Sequence, residues 1–142
     1  MQTAPKIGTV HEKVFTVDAS RCIDFSDWNG PTVLATPWLI WNLEYAALEL
    51  LQPHLGAGEM SVGVRVEMDH LSPTPLGQTV TCRARVVHAD GPVVAFQIEA
   101  HDESDLIARG LHKRRVVSAN RFAAAVQRKL TDELKIAEDN DR

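Results

Sequence analysis

The sequence predicts an α+β domain, with one antiparallel sheet laid against a single long helix. Three observations carry this: one run of helical periodicity beginning near Thr36, three or four period-two stretches between Ser61 and Val117, and the turn residues that separate them. With 142 residues, 44% hydrophobic and 24% charged, the chain has the balance of one globular domain. At this length roughly two thirds of the unfolded surface is buried on folding, so neither disulfides nor a metal is required. Fifteen Lys and Arg against nineteen Asp and Glu leave a net charge of −4, which argues against a protein that coats nucleic-acid phosphates.

Residues 7–17 alternate weakly through Val10, Val14, Phe15 and Val17 and read as an edge strand. Residues 18–35, rich in Asp, Ser, Asn, Gly and Pro, read as a loop with a short helical turn. Thr36 followed by Pro37 reads as an N-cap and first helical residue, because proline's missing N–H is harmless there. Leu39, Leu43, Ala46, Ala47, Leu50 and Leu51 then recur at helical spacing until Pro53 and Gly56 end the run. The first later strand covers Ser61–Met68 and ends in a Pro-rich turn. In the second, Val80, Cys82, Ala84 and Val86 share one face. Asp90-Gly91-Pro92 turns the chain into a third strand, where Val94, Phe96, Ile98 and Ala100 point one way. A fourth runs from Leu106 to Val117, so four consecutive strands in hairpin connection are expected after the helix. Arg121–Leu130 reads as a short closing helix, and the charged segment from Thr131 as a frayed tail.

Cys22 and Cys82 form no CxxC spacing and read as isolated buried thiols. The first residues lack the apolar run of a secretory leader, and the most apolar stretch, Val33–Trp41, is too short to span a membrane. A cytoplasmic protein is the expectation.

Among candidate functional residues, Glu44 stands out as the one formal charge between Asp27 and Glu49, set among Trp41, Leu43, Tyr45, Ala46, Ala47 and Leu48. A carboxylate there either lies on a solvated stripe or is buried for a purpose, since an unpaired buried charge is strongly disfavoured. His70 closes the first of the later strands. His11, His54, His88, His101 and His112 show no ligand spacing, and Asp69 and His70, as strand neighbours, point to opposite faces, so no metal site is expected. Thr36 is accounted for by capping, although a helix N-terminus also offers N–H groups to an oxyanion. Gly63, within a strand, marks a bulge or a close approach of a ligand to the backbone.

Val33-Leu34-Ala35-Thr36, Glu44-Tyr45-Ala46, Ser61-Val62-Gly63, Asp69-His70 and Thr74-Pro75-Leu76-Gly77-Gln78-Thr79-Val80 together resemble the hot-dog-fold thioesterases related to fluoroacetyl-CoA thioesterase. Ala100-His101-Asp102 and Gly110-Leu111-His112-Lys113-Arg114 extend the resemblance, which covers roughly residues 30–130. It implies a hot-dog fold, a five-stranded antiparallel sheet wrapped around one long central helix, over residues 1–130, followed by the tail 131–142. It implies an acyl-CoA thioesterase acting without a cofactor, with Thr36, Glu44 and His70 as the catalytic group and Gly63 at the substrate. Glu44 would be general base or nucleophile. Thr36 and Glu44 lie about 12 Å apart along a regular helix, so no direct hydrogen bond between them is expected.

The resemblance further implies a homodimer or higher homo-oligomer with active sites at the subunit interface, and acyl-CoA as the small-molecule partner, with neither nucleic acid nor membrane. The family's aromatic lid before the Thr is replaced here by Asp27-Trp28-Asn29-Gly30-Pro31, so an acyl group larger than fluoroacetyl is expected, held by Trp28, Trp38 or Trp41. The competing readings are a non-catalytic acyl-CoA binding protein and a hot-dog enoyl-CoA hydratase. The Thr, Glu and His matches oppose the first, and the absence of the hydratases' Asp and His pair opposes the second.

Overall fold

In the computed structural model, which describes residues 1–141, helix α1 (Thr36–Leu51) lies in the concave face of a five-stranded antiparallel sheet. The strands are β1 (Val10–Thr16), β4 (Glu59–His70), β5 (Thr79–Asp90), β6 (Val93–His101) and β7 (Leu106–Ser118), in spatial order β1-β5-β6-β7-β4. The apolar periodicity accounts for the packing. Leu39, Leu43, Ala46, Ala47, Leu50 and Leu51 are buried along one side of α1, against the inward residues of β5 (Val80, Cys82, Ala84, Val86) and β6 (Val94, Phe96, Ile98, Ala100). Each buried Leu, Ile or Phe contributes about 1.5–3 kcal/mol, and this continuous layer fixes the helix relative to the sheet. Cys22 and Cys82 are both free thiols, Cys82 fully buried. No helix among the described residues is long and apolar enough to cross a membrane.

The connectivity differs from a simple run of hairpins. Only β5-β6-β7 are joined that way; β4 pairs with β7 and forms the far edge of the sheet, away from β5. Residues 71–78 make the crossing, and Pro73 and Pro75 suit them to it because proline cannot donate to a ladder. The segment is anchored by Leu34 N donating to Thr74 O at 2.9 Å, by a bridge between Val33 and Pro75, and by the buried Thr74 hydroxyl on Asp102 Oδ2 at 3.0 Å.

The stretch 18–35, expected as loop, contains a small hairpin, β2 (Cys22–Asp24) with β3 (Thr32–Leu34), whose turn holds Asn29 at φ 58. Nor does the closing helix stop at Leu130. Helix α2 runs over Ala119–Asn140, through the segment read as frayed tail, and is capped by Ser118 Oγ accepting from Arg121 N at 3.3 Å. No residue of α2 is buried.

Strand β4 carries a bulge. Gly63 pairs with Arg114 and Arg65 with Lys113, so Val64 is an extra residue. Before it Ser61 and Gly63 face the helix; after it Val66, Met68 and His70 do. Gly110 in β7 sits where a side chain is impossible, since a Cβ would lie 1.9 Å from Glu67 O.

Candidate active site

The four candidate residues gather into two clusters. At the start of α1, Thr36 does not cap the helix. Ala35 is the N-cap, extended at φ −75 and ψ 137, with its N–H on Arg21 O at 2.9 Å and its carbonyl accepting from Trp38 and Leu39. Thr36 is thereby the first helical residue, and Pro37 still falls within the first turn, where it is tolerated. The Thr36 side chain, released from capping, makes a 2.8 Å hydrogen bond from Oγ1 to His70 Nδ1.

His70 is half-buried at the end of β4, and burial holds its imidazole below the ordinary histidine value of 6.5, opposed in part by the Ser72 backbone. In the tautomer that carries its hydrogen on Nε2, the neutral ring accepts the Thr36 proton at Nδ1. That Nε2 is buried with no partner among the described residues. Both side chains line a cavity of about 300 Å³ whose other walls include Ile23, Phe25, Val33, Leu71 and Pro73.

Phe25 reaches this cavity because of Gly30. A Cβ on Gly30 would stand 2.7 Å from Phe25 Cβ and 3.2 Å from its carbonyl oxygen, so glycine lets the Phe25 backbone and the root of its side chain lie where they do. The tryptophans expected at the acyl pocket are not among the cavity's lining residues. Trp28 is 75% exposed and meets Phe25 edge-on, while along the outer side of α1 Trp38 meets Trp41 edge-on and Trp41 meets Tyr45 at a tilt. They follow a helical face that the sheet does not cover.

The second cluster surrounds Glu44, two turns further along α1. Its carboxylate is neither isolated nor fully buried: the side chain is 37% exposed, and Arg114 Nη1 lies 3.9 Å from Oε2. Arg114 and His112, both buried, come from β7 and were not singled out by the sequence reading. Arg114 donates from Nε to Ser61 Oγ at 3.0 Å, from Nη2 to Ser61 O at 2.9 Å, and from Nη1 to His112 Nε2 at 3.3 Å. His112 Nδ1 in turn donates to Arg65 O at 2.8 Å, which fixes the neutral tautomer. Burial, and after it Arg114, lowers the His112 pKa. Gly63 sits among these groups: a Cβ there would be 3.2 Å from Glu44 Oε2, 3.3 Å from His112 Cε1 and 3.4 Å from Arg114 Nη1.

The signal for Arg114 and His112 was the alternation of β7. Ala108, His112, Arg114 and Val116 share the inward phase, but the outward apolar Leu111 hides it.

A five-stranded antiparallel sheet wrapped around one helix is the hot-dog architecture of the thioesterase superfamily, and here a hydroxyl hydrogen-bonded to an imidazole sits beside an apolar cavity at one end of that helix. The comparisons agree. A family model described as fluoroacetyl-CoA-specific thioesterase matches residues 17–120. The fluoroacetyl-CoA thioesterase of Streptantibioticus cattleyicolor is 34% identical over 99 residues, 70% of this chain and 71% of that protein. A solved structure of a fluoroacetyl-CoA thioesterase superposes with a TM-score of 0.82 at 28% identity, covering 89% of this chain and 98% of the other. A thioesterase superfamily member from Thermus thermophilus gives 0.82 at 27% identity over 96% and 99% of the two chains. The chain belongs to the fluoroacetyl-CoA-specific thioesterase family and is an acyl-CoA thioesterase, a thioester hydrolase.

Proposed function

We propose that this thioesterase is a cytoplasmic homodimer that cleaves an acyl-CoA whose acyl group is apolar and larger than fluoroacetyl, using Thr36, His70 and Glu44, with Gly63 against the substrate. The observation that carries the reading is the 2.8 Å Thr36–His70 hydrogen bond on the wall of the 300 Å³ cavity. Thr36 Oγ1 attacks the thioester carbonyl as its proton passes to His70 Nδ1. The C–S bond breaks, the CoA thiolate takes that proton, and an acyl ester remains on Thr36. Water then attacks the ester as Glu44 takes one of its protons; the bond to Thr36 Oγ1 breaks, Oγ1 takes that proton back from Glu44, and the released acid loses its remaining proton to solvent as it leaves as the carboxylate.

Within one chain the two clusters are too far apart to share a substrate carbonyl. Gly63 and His70 are seven residues apart on β4, about 23 Å of strand. The free edge of β4 supports a remedy, since an exposed edge of twelve residues is a template for pairing. Antiparallel pairing of β4 with its copy, centred near Val66 and Glu67, sets His70 opposite the partner subunit's Gly63. Each Thr36–His70 pair then faces the Glu44 cluster of the other chain.

Complementation tests this. Thr36→Val and Glu44→Gln chains, each inactive alone, are unfolded together and refolded at equal ratio. Half of the dimers are mixed, and each mixed dimer has one intact site, so about a quarter of wild-type activity returns. No recovery in properly mixed dimers refutes the shared site. For the acyl group, kcat/KM is measured from fluoroacetyl-CoA through longer aliphatic to aromatic acyl-CoAs. Each Å² of apolar surface taken into the cavity adds about 25 cal/mol, so the larger apolar groups are expected to lead. A maximum at fluoroacetyl-CoA refutes the preference.

A further inference from the structure

Helix α2 presents an apolar stripe that nothing in its own chain covers. Phe122, Val126, Leu130 and Leu134 follow one another at i+4 steps and are 41, 46, 49 and 66% exposed, with Ala119, Ala123 and Ala137 on the same side. A stripe of three turns left in water contributes nothing to holding the helix, whereas most helical stability in proteins comes from packing such an amphipathic face. The charges say what covers it. Arg121, Arg128 and Lys129 are the charges of the first half of α2, whereas Asp132, Glu133, Glu138 and Asp139 against the single Lys135 make the second half acidic. Lys129 and Glu133 border the stripe on the same side, one turn apart.

We infer that α2 pairs antiparallel with α2 of a second copy of this chain, centred at Leu130. In that register Leu130 meets the partner's Leu130, Val126 meets the partner's Leu134, and Ala123 meets the partner's Ala137. Lys129 and the partner's Glu133 come side by side, twice by symmetry, and basic halves lie along acidic halves. A parallel pair would bring like halves together and align the two helix dipoles unfavourably. An anionic lipid surface fits less well, because interfacial helices carry Lys and Arg over the polar face, and the second half of α2 is acidic. The contact is separate from the β4 edge and does not depend on it.

Disulfide trapping reads the register. In a Cys22→Ser background, Cys82 stays silent, since burial pushes its thiol up to about 12. Leu130→Cys is expected to form a covalent dimer under mild oxidation on the order of tenfold or more faster than Lys135→Cys, which lies on the opposite side of the helix. Val126→Cys and Leu134→Cys chains are slow alone and fast when mixed. All four positions are exposed, so the substitutions leave the core untouched. Self-linking at Val126, Leu130 and Leu134 alike would establish a parallel pair and overturn the proposal, as would rates at Leu130 no greater than at Lys135. Co-sedimentation of the wild type with phosphatidylcholine–phosphatidylglycerol vesicles, abolished by Leu130→Asp, would assign the stripe to lipid instead.

Discussion

Replacing Thr36 by Val keeps the shape of the side chain and removes the one group that His70 Nδ1 touches. The hydrogen bond lost is 2.8 Å long and lies on an exposed side chain, so its removal costs folding at most about 1 kcal/mol, within the usual 0.5–1.5 for such a bond. Catalysis should lose far more. A correctly placed proton-transfer partner contributes about 10²–10⁴-fold, which is about 2.7–5.4 kcal/mol at 1.36 kcal/mol per decade. Thr36→Ser, which retains the hydroxyl, should keep much of the activity. The assay is kcat/KM by thiol release, with urea midpoints measured in parallel, for Thr36→Val, His70→Ala and the double substitution. If the two residues act as one unit, the double variant is scarcely slower than the worse single one. Losses that multiply in full would show that Thr36 and His70 act independently and would refute the nucleophile–base assignment. A Thr36→Val chain with unchanged kcat/KM would refute any chemical role for the hydroxyl.

Glu44→Gln is expected to lower kcat by about a hundredfold or more, because the amide can neither accept a proton nor attack a carbonyl. Its 3.9 Å separation from Arg114 and its 37% exposure make the ion pair worth less than about 1 kcal/mol, so the urea midpoint should barely move; unchanged kcat in the folded variant removes Glu44 from the mechanism. The pH dependence follows from the lowered pKa values of His70 and His112. The active form of His70 is neutral, so the acid limb of kcat/KM should lie below 6.5, and a limb at or above that value would contradict a neutral, buried base. Below 6.5 the unfolded chain also takes up protons that the folded rings resist, so these two residues make stability fall with acidification through the window down to their folded values. Urea midpoints followed through that range check the sign.

The helix and the inward faces of β5 and β6 were legible because each rests on local spacing, whereas Thr36, Glu44, Gly63 and His70 came together as candidates only through the family resemblance. Leu39 to Leu51 and Val80 to Val86 announce their faces by period alone. What was hidden depends on distant partners. Thr36 looked like a cap because Ser, Thr and Pro at a helix start usually mean one, and only the extended Ala35, held by Arg21 O, moves the cap back by a residue. The position of β4 at the far edge is set by contacts of Thr74 and Pro75 with β3 and Asp102, which no periodicity reports. Phe25 and Arg114 escaped for related reasons: one needs the space left by Gly30, and the other needs Ser61 and His112 to satisfy a buried guanidinium.

The bulge at Val64 links these features to the chemistry. Gly63 and His70 are an odd number of residues apart, and in a regular strand they would point to opposite faces, so one of the two clusters could not face α1. One inserted residue changes the phase. Gly63 can then admit the Glu44 carboxylate while His70, seven positions later, still turns inward to Thr36. The same insertion bends and twists the edge strand where antiparallel pairing with a second β4 would be centred, between the two clusters it has brought onto one face. A single extra residue in β4 thus turns both clusters toward the same side of the sheet, which the proposed shared site requires of the strand that carries them.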